Sequence, residues 1–274
     1  MQAVSTTIKK VNNGAITDAN DMLAAEEPLE IRLEFNDGDK RVQKNLSVTM
    51  RTPGHDSELA TGFLYTEGII TSATDITNIK YCKAGNENIV CVSLSGSVKL
   101  DFNKLERNFY TTSSCGVCGK ASIQSVKTVC PIPDTFDSLR ISHTLICLLP
   151  DKLRQQQDVF ENTGGLHACA LFDLKGELLV SREDVGRHNA LDKLIGAALS
   201  AGMLPLDNHV LMLSGRASFE LVQKAIMAGI KIIAAVGAPS SLAADMAVER
   251  GITLIGFLRG QRFNIYSGAE RILL

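Results

Sequence analysis

The sequence has no long hydrophobic run, and this absence excludes a membrane-spanning helix. A helix needs about eighteen consecutive apolar residues to cross a bilayer, and no stretch of the 274 residues comes near that length. It also has no excess of one charge, since 28 basic side chains stand against 30 acidic ones for a net charge of -2. Such a balance argues against a broad electrostatic grip on DNA or RNA. Any bound anion must therefore be held by a local site.

Signs of secretion are missing as well. The seven cysteines are odd in number and scattered, and no basic segment followed by an apolar one opens the chain. We therefore expect a reducing, cytoplasmic location without a disulfide framework. At this length the chain has room for one large or two modest domains with a substantial core. Five of the cysteines look isolated: Cys82, Cys91, Cys130, Cys147 and Cys169.

Short strands dominate the first part of the sequence, residues 1–150, which we predict to be a smaller, strand-rich N-terminal region. Apolar and charged residues alternate over residues 29–35, and a turn at 36–39 leads to a weaker strand pattern at 41–48. Leu59, Ala60, Phe63 and Leu64 have helical spacing, which predicts a helix at 57–67. Further predictions are a strand at 89–94 and a mobile loop at 111–119.

Apolar runs alternate with helical stretches over residues 151–274, which predicts an α/β domain with mostly parallel strand pairing. The predicted strands are 166–172, 177–180, 210–213, 231–236 and 253–257. The predicted helices are 185–201, 217–228 and 241–249. In open α/β sheets, ligands collect beyond the carboxyl ends of the strands.

Two turns at such strand ends have the composition of a phosphate site. Ser214, Gly215 and Arg216 combine hydroxyl, glycine and guanidinium ahead of a helix, where backbone N–H groups favour anions. The second turn places two arginines around a glycine and comprises Phe257, Leu258, Arg259, Gly260, Gln261 and Arg262. Surface pairing explains these arginines equally well. For Ser240 and Ser241 a helix N-cap is the favoured interpretation.

Three histidines are candidate acids or bases near neutral pH. His188 stands near the start of the predicted helix 185–201, while His55 and His167 each follow a glycine-containing turn. A lone histidine at such a position is more often a capping or packing residue. We therefore favour structural roles for all three on spacing alone.

Cys115 and Cys118 form a C-x-x-C pair framed by glycines and followed by Lys120. Three functional interpretations fit such a pair: half a zinc site, a redox pair, or a nucleophilic thiol that carries sulfur. An inert surface pair also stays open on spacing alone. No second pair or ligand-spaced histidine supports zinc. A redox pair of this type normally lies near a βαβ pattern, whereas this pair precedes the clear α/β pattern by some fifty residues, which weakens the redox interpretation. A nearby lysine favours ionisation of a thiol, and the glycines give access to it.

Five longer runs resemble the FdhD/NarQ family of formate dehydrogenase accessory sulfurtransferases. The resemblance extends from about Pro28 to the C-terminus. The runs are residues 51–56, with the sequence RTPGHD; residues 114–120, with SCGVCGK; residues 163–167, with TGGLH; residues 182–193, with REDVGRHNALDK; and residues 214–220, with SGRASFE.

This resemblance implies a cytidine deaminase-like, three-layer α/β/α fold and a role in sulfur transfer. It implies that a cysteine desulfurase donates sulfur, that the sulfur is carried as a persulfide, and that it passes to the bis-molybdopterin guanine dinucleotide cofactor of formate dehydrogenase. The metal of that cofactor is molybdenum or tungsten. Cys115 matches the persulfide-bearing cysteine, Cys118 assists it, and residues 257–262 match the cofactor-binding segment. Two nucleotides in one cofactor suggest a homodimer with one site in each copy.

Two other functions compete with sulfur transfer. A zinc deaminase needs H-x-E followed downstream by P-C-x-x-C. Here the C-x-x-C precedes His188, and Ala190 stands in place of the glutamate, so we expect no catalytic zinc or other bound metal. A non-catalytic chaperone that binds cofactor and formate dehydrogenase stays open, because it needs the arginine-rich turns but not the thiols.

Overall fold

The fold is described from a computed structural model. It describes residues 1–38, 40–83, 86–98, 100 and 139–274. Within these ranges the chain forms fourteen strands and six α-helices, which confirms the α/β class. None of the described helices combines the length and the apolar character needed to cross a bilayer.

The N-terminal part contains a hairpin, a four-stranded sheet and one helix. Among the described strands, β1 (Ala3–Asn12) and β2 (Ala15–Ala24) pair only with each other. The four-stranded sheet has the order β4-β3-β6-β5. Its strands are β3 (Glu27–Asp37), β4 (Lys40–Arg51), β5 (Ile76–Lys83) and β6 (Asn86–Leu94), and helix α1 spans Asp56–Thr66.

Alternation of buried and charged side chains explains β3. Leu29, Ile31, Leu33 and Phe35 are buried, and the charged residues between them face the other side of the sheet. The predicted strand at 29–35 is therefore confirmed. The weaker pattern at 41–48 also proves to be a strand, and it extends to Arg51.

A six-stranded sheet with the order β13-β12-β11-β10-β8-β9 forms the centre of the C-terminal part. Its strands are β8 (His167–Asp173), β9 (Leu178–Asp184), β10 (His209–Leu213), β11 (Ile232–Ala235), β12 (Thr253–Arg259) and β13 (Arg262–Ser267). The helices are α2 (His143–Arg154), α3 (Asp158–Thr163), α4 (Arg187–Ser200), α5 (Phe219–Met227) and α6 (Ser241–Glu249). The short strands β7 (Ile141–Ser142) and β14 (Ile272–Leu273) pair in parallel.

The expectation of mostly parallel pairing is wrong for this sheet. Only β10–β11 and β11–β12 are parallel, whereas β8–β9, β8–β10 and β12–β13 are antiparallel. A tight turn causes the first reversal: the Asp173 carboxylate accepts hydrogen bonds from the backbone N–H groups of Lys175 and Glu177. Helix α4 then crosses over β8, so that β10 runs parallel to β9 with β8 between them.

Helices cover both faces of the six-stranded sheet. On one face, α4 and α5 pack over Leu211 and Ile233 in the larger hydrophobic cluster. On the other, Ile146, Leu149 and Leu153 of α2 pack in a second cluster with residues of β8, β10 and β11. The predicted three layers are therefore present, while the likeness to cytidine deaminases stays a prediction.

Helices α1 and α4 pack so closely that only glycine fits where they cross. A Cβ atom at Gly62 would lie 1.8 Å from the Asp192 carbonyl oxygen, and one at Gly196 would lie 1.9 Å from that of Glu58. This contact joins residues from both predicted regions. The division into two domains stays a prediction, but its proposed boundary, Pro150, lies inside α2.

Candidate functional site

A cavity of about 600 Å³ opens beyond the carboxyl ends of β10, β11 and β12. Helices α2 and α3 and the segment that leads into β8 form its other walls. It lies at the edge of the sheet where ligands collect in α/β folds. Its lining includes Arg154, Phe160, Gly164, His167, Ser214, Val236, Leu258, Arg259 and Gly260.

The structure brings part of the predicted phosphate site together. Ser214 from the first turn and Leu258, Arg259 and Gly260 from the second line the same cavity. A neighbouring cavity of about 270 Å³ is lined by Phe257, Arg259, Arg262 and Asn264. Gly215, Arg216 and Gln261 belong to the predicted site but line neither of these two cavities.

Close backbone packing fixes the turns at 214–216 and 257–262 relative to one another through Gly237, which follows β11. The Gly237 N–H donates to the Gly215 carbonyl at 3.0 Å, and the Phe257 N–H donates to the Gly237 carbonyl at 3.1 Å. A Cβ atom on Gly237 would lie 2.9 Å from the Cα of Arg216, so a larger residue would separate the turns. Phe257 itself has a positive φ of 54° and is 43% exposed, which presents its ring to solvent beside the cavities.

Positive charge collects at the cavities. Arg259 and Arg262 are cross-strand partners in the β12–β13 ladder. Both are exposed, and neither forms an ion pair or side-chain hydrogen bond with the described part of the chain. Arg154, by contrast, is held by Glu161 at 3.0 Å. Two unpaired guanidinium groups side by side suit the oxygens of a phosphate or diphosphate.

The three histidines differ in their surroundings. His167 lines the larger cavity, and burial, aided by the nearby Arg187, lowers its pKa. The Nε2 of His188 lies 2.6 Å from the Glu220 carboxylate, so this side chain bridges α4 and α5 instead of capping its own helix. His55 precedes α1 in a left-handed conformation and contacts Glu58 at 3.1 Å.

A buried network joins the sequence runs that carry the family resemblance. The Lys193 ammonium group lies 2.7 Å from the Asp184 carboxylate, and both side chains are fully buried. The same carboxylate accepts a hydrogen bond from the backbone N–H of Thr52 at 3.1 Å, and Lys193 donates to the Thr52 carbonyl at 2.8 Å. The runs at 51–56 and 182–193 therefore form one structural unit.

The predicted catalytic residues, Cys115 and Cys118, lie outside the described residues, so their assignment stays a prediction. Two other thiols, Cys147 and Cys169, are buried, and burial raises the pKa of each. A raised thiol pKa lowers the thiolate population that attacks sulfur or binds metal. Neither residue is therefore suited to accept sulfur.

Two of the cysteines that were expected to be isolated are not. Cys82 and Cys91 lie on the neighbouring strands β5 and β6 with their sulfur atoms in contact. The two cysteines are nine residues apart in the sequence, and the hairpin of β5 and β6 brings them together. Among the described residues, no three His, Cys, Asp or Glu side chains come together in an arrangement that would hold a metal ion.

Family membership follows from comparison with known proteins. The model of the FdhD/NarQ family matches residues 24–273, nearly the whole chain. The chain belongs to the FdhD/NarQ family. The five runs that suggested this family all lie within the matched residues.

Curated relatives in this family carry the name sulfur carrier protein FdhD. The Streptomyces coelicolor protein is 52% identical over 273 residues, which cover 97% of this chain and 94% of the relative. The Sulfurisphaera tokodaii protein is 43% identical over the full length of both chains. A solved "putative formate dehydrogenase accessory protein" from Desulfotalea psychrophila matches the full length of both chains with a TM-score of 0.77 and 25% identity.

Sequence reasoning missed the wall of the cavity that α2 and α3 supply, including Arg154 and Phe160. Ile146, Leu149 and Leu153 in α2 have helical spacing, and Ser142 caps the helix by accepting from the Thr144 N–H. Pro150 conceals these signals in the sequence, because a proline inside a helical pattern usually marks a boundary.

Proposed function

We propose that this chain is a sulfurtransferase that serves the maturation of formate dehydrogenase. Cys115 accepts sulfur as a persulfide from a cysteine desulfurase and passes it to the bis-molybdopterin guanine dinucleotide cofactor, which is the substrate of the reaction. The name of the curated relatives, sulfur carrier protein, supports the carrier role. The C-x-x-C pair supports Cys115 as the acceptor.

The observation that carries the proposal is the smaller cavity, where the unpaired Arg259 and Arg262 stand beside Phe257. A guanine dinucleotide needs cationic groups for its diphosphate and a flat apolar surface for its base. Arg259 and Arg262 supply the first, and the exposed ring of Phe257 beside them supplies the second. The chemistry of these residues therefore fits a nucleotide end of the cofactor.

The sulfur steps balance without an external oxidant. The outer sulfur of the donor persulfide forms a bond to the Cys115 thiolate, and the donor cysteine leaves as a thiol. Delivery as sulfide requires two electrons, which the Cys118 thiol provides when it attacks the inner sulfur and forms a disulfide with Cys115. A cellular thiol reductant then restores both thiols.

A two-fold homodimer would offer one nucleotide site to each half of the cofactor. This state and the cytoplasmic location remain parts of the proposal. The alternative is a chaperone that binds cofactor and formate dehydrogenase without moving sulfur.

Sulfur loading separates the two functions. The full chain is incubated with a cysteine desulfurase and cysteine, and its intact mass is measured before and after reduction. The proposal expects one reductant-labile sulfur adduct in the wild type and none in Cys115→Ala, with Cys147→Ala as the matched control that still loads. A Cys115→Ala, Cys118→Ala double variant that fully activates formate dehydrogenase would instead support the chaperone.

A further inference from the structure

Cys82 and Cys91 form a thiol pair that the proposed function does not use. Their Cα atoms are 5.5 Å apart, and their sulfur atoms are in contact across β5 and β6. Disulfides in proteins join Cα atoms about 4.4 to 6.8 Å apart. The pair can therefore close a disulfide without movement of the backbone.

The pair lies on the outer face of the four-stranded sheet. The neighbours of Cys91 on β6, Val90 and Val92, pack in the hydrophobic core, so alternation along the strand directs Cys91 away from it. On this outer face, the side-chain amide of Gln43 on β4 lies 2.9 Å from the Cys91 sulfur and 3.5 Å from the Cys82 sulfur. Both sulfurs therefore have a polar partner rather than an apolar environment.

The two thiols differ in access to solvent. Cys91 is 1% exposed, whereas Cys82 is partly exposed. In thiol-disulfide exchange, access decides which sulfur reacts with an external reagent. Cys82 is thus placed to react first, and Cys91 is placed behind it to complete the exchange.

Basic side chains flank the buried thiol on both sides. Lys80 on β5 and Arg32 on β3 are the register partners of Cys91. Arg32 is also held by Glu30 at 2.7 Å, and Glu34 on the same face accepts a hydrogen bond from Ser93 at 2.5 Å. Glu30 and Glu34 are thus engaged with neighbours, and the exposed Lys80 stands beside the pair to attract an anionic reagent.

We propose that Cys82 and Cys91 are a second thiol site, which a low-molecular-weight disulfide oxidises to a reversible cross-strand disulfide. The Cys82 thiolate attacks the small disulfide, forms a mixed disulfide and releases one small thiol. The Cys91 thiolate then attacks the Cys82 sulfur, closes the protein disulfide and releases the second small thiol. Two protein thiols and one small disulfide thus become one protein disulfide and two small thiols.

Oxidation at this site tethers an edge strand. β5 is the outermost strand of the sheet order β4-β3-β6-β5, so among the described strands only β6 holds it by backbone hydrogen bonds. The disulfide adds a covalent link between these two strands and stabilises the sheet in its oxidised form. The site is independent of sulfur transfer, since it uses neither Cys115 nor Cys118.

The test uses the full chain with Cys115→Ser, Cys118→Ser and Cys130→Ser, so that these thiols do not compete. The protein is incubated with glutathione disulfide, and its intact mass and peptides are analysed. We expect the loss of two hydrogens and a linked peptide that contains Cys82 and Cys91, with full return to the thiols on reduction. No disulfide, or one that joins other cysteines, would overturn the proposal.

Single replacements in the same background separate the roles of the two thiols. In Cys91→Ser, a glutathione adduct should accumulate on Cys82, because the second thiol is missing. In Cys82→Ser, Cys91 should take up at least tenfold less glutathione. Equal labelling in the two variants would contradict the assigned order of attack.

Discussion

At the scale of single residues, the charge of the cavity depends on a few side chains. Arg259 lines both cavities and has no partner in the described part of the chain, whereas Arg154 is held by Glu161. An unpaired guanidinium group can bind an anion without first breaking an existing ion pair. Arg259 is therefore the side chain that we expect to contribute most to nucleotide binding.

Replacement of Arg259 by glutamine should weaken binding of guanosine diphosphate, a probe for one nucleotide end of the cofactor. The loss of one charge-assisted hydrogen bond costs about 1.5 to 3 kcal/mol, which is on the order of a tenfold to hundredfold rise in Kd. Isothermal titration calorimetry measures this change. Arg250 lies before β12 at the opposite end of the sheet, so Arg250→Gln is the matched control. An equal rise in Kd in both variants would refute the site.

Glu58 predicts a pH dependence of stability. Burial raises its pKa, but hydrogen bonds from Arg182 and His55 outweigh burial and lower the pKa to about 2. A carboxyl group with a lowered pKa stabilises the fold above its unfolded value, and this contribution is lost as pH falls toward the folded value. The loss should therefore occur between about pH 4.5 and pH 2.

Denaturant titrations over this pH range measure the effect. With allowance for partial exposure of the pair, we expect the wild type to lose about 1 to 2 kcal/mol more than Glu58→Gln does. If both proteins lost the same free energy of unfolding between pH 4.5 and about pH 2, the Glu58–Arg182 pair would contribute nothing to stability.

At the scale of elements, the packing of α1 against α4 joins the two parts of the chain. Gly196→Ala would place a methyl group 1.9 Å from the carbonyl oxygen of Glu58, which is backbone and cannot rotate away. We expect a loss of about 3 kcal/mol or more, the upper range for an overpacked core. Gly165→Ala is the control in a urea denaturation series, because its Cβ would meet nothing closer than 3.4 Å.

A buried ion pair links α4 and α5 with the end of α1. Burial disfavours the charged form of Lys224, but Asp192 and Glu67 outweigh it and raise the pKa of the ammonium group. Lys224 donates to both carboxylate oxygens of Asp192 at 3.0 Å and to Thr66 at 2.8 Å.

Lys224→Met would leave the Asp192 carboxylate buried without its partner. Removal of one member of a buried pair costs about 3 to 5 kcal/mol. Thermal unfolding of this variant should therefore begin at a markedly lower temperature than that of Lys175→Met, in which an exposed turn residue changes. Similar midpoints for the two variants would show that Asp192 does not depend on Lys224.

Elements were predictable where burial follows one simple period. Helix α6 was predicted with its observed bounds, and Ser240 caps it by accepting from the Ala243 N–H, as expected. The hairpin β1–β2 was not predicted, because most of its side chains are exposed on both faces and no alternation marks it. For the cavity, the turns at 214–216 and 257–262 were found from composition, whereas the wall from α2 and α3 depends on tertiary packing.

At the scale of the whole molecule, the proposed function combines two tasks that different residues of one chain perform. In the proposed function, Cys115 carries sulfur, and the neighbouring cavities at the strand ends hold the nucleotide end of the cofactor. The tasks are chemically independent, so a variant can lose one and keep the other. Arg259→Gln and Cys115→Ala should therefore fail at different steps.

Transfer of isotope-labelled sulfur in a single turnover tests this claim most directly. The protein is loaded with labelled sulfur, separated from the desulfurase and mixed with the cofactor, and the label on the cofactor is measured by mass spectrometry. We predict that the wild type transfers its label, that Arg259→Gln loads normally but transfers at least tenfold more slowly at limiting cofactor, and that Cys115→Ala never loads. Normal transfer by Cys115→Ala, or unchanged transfer by Arg259→Gln, would contradict the account.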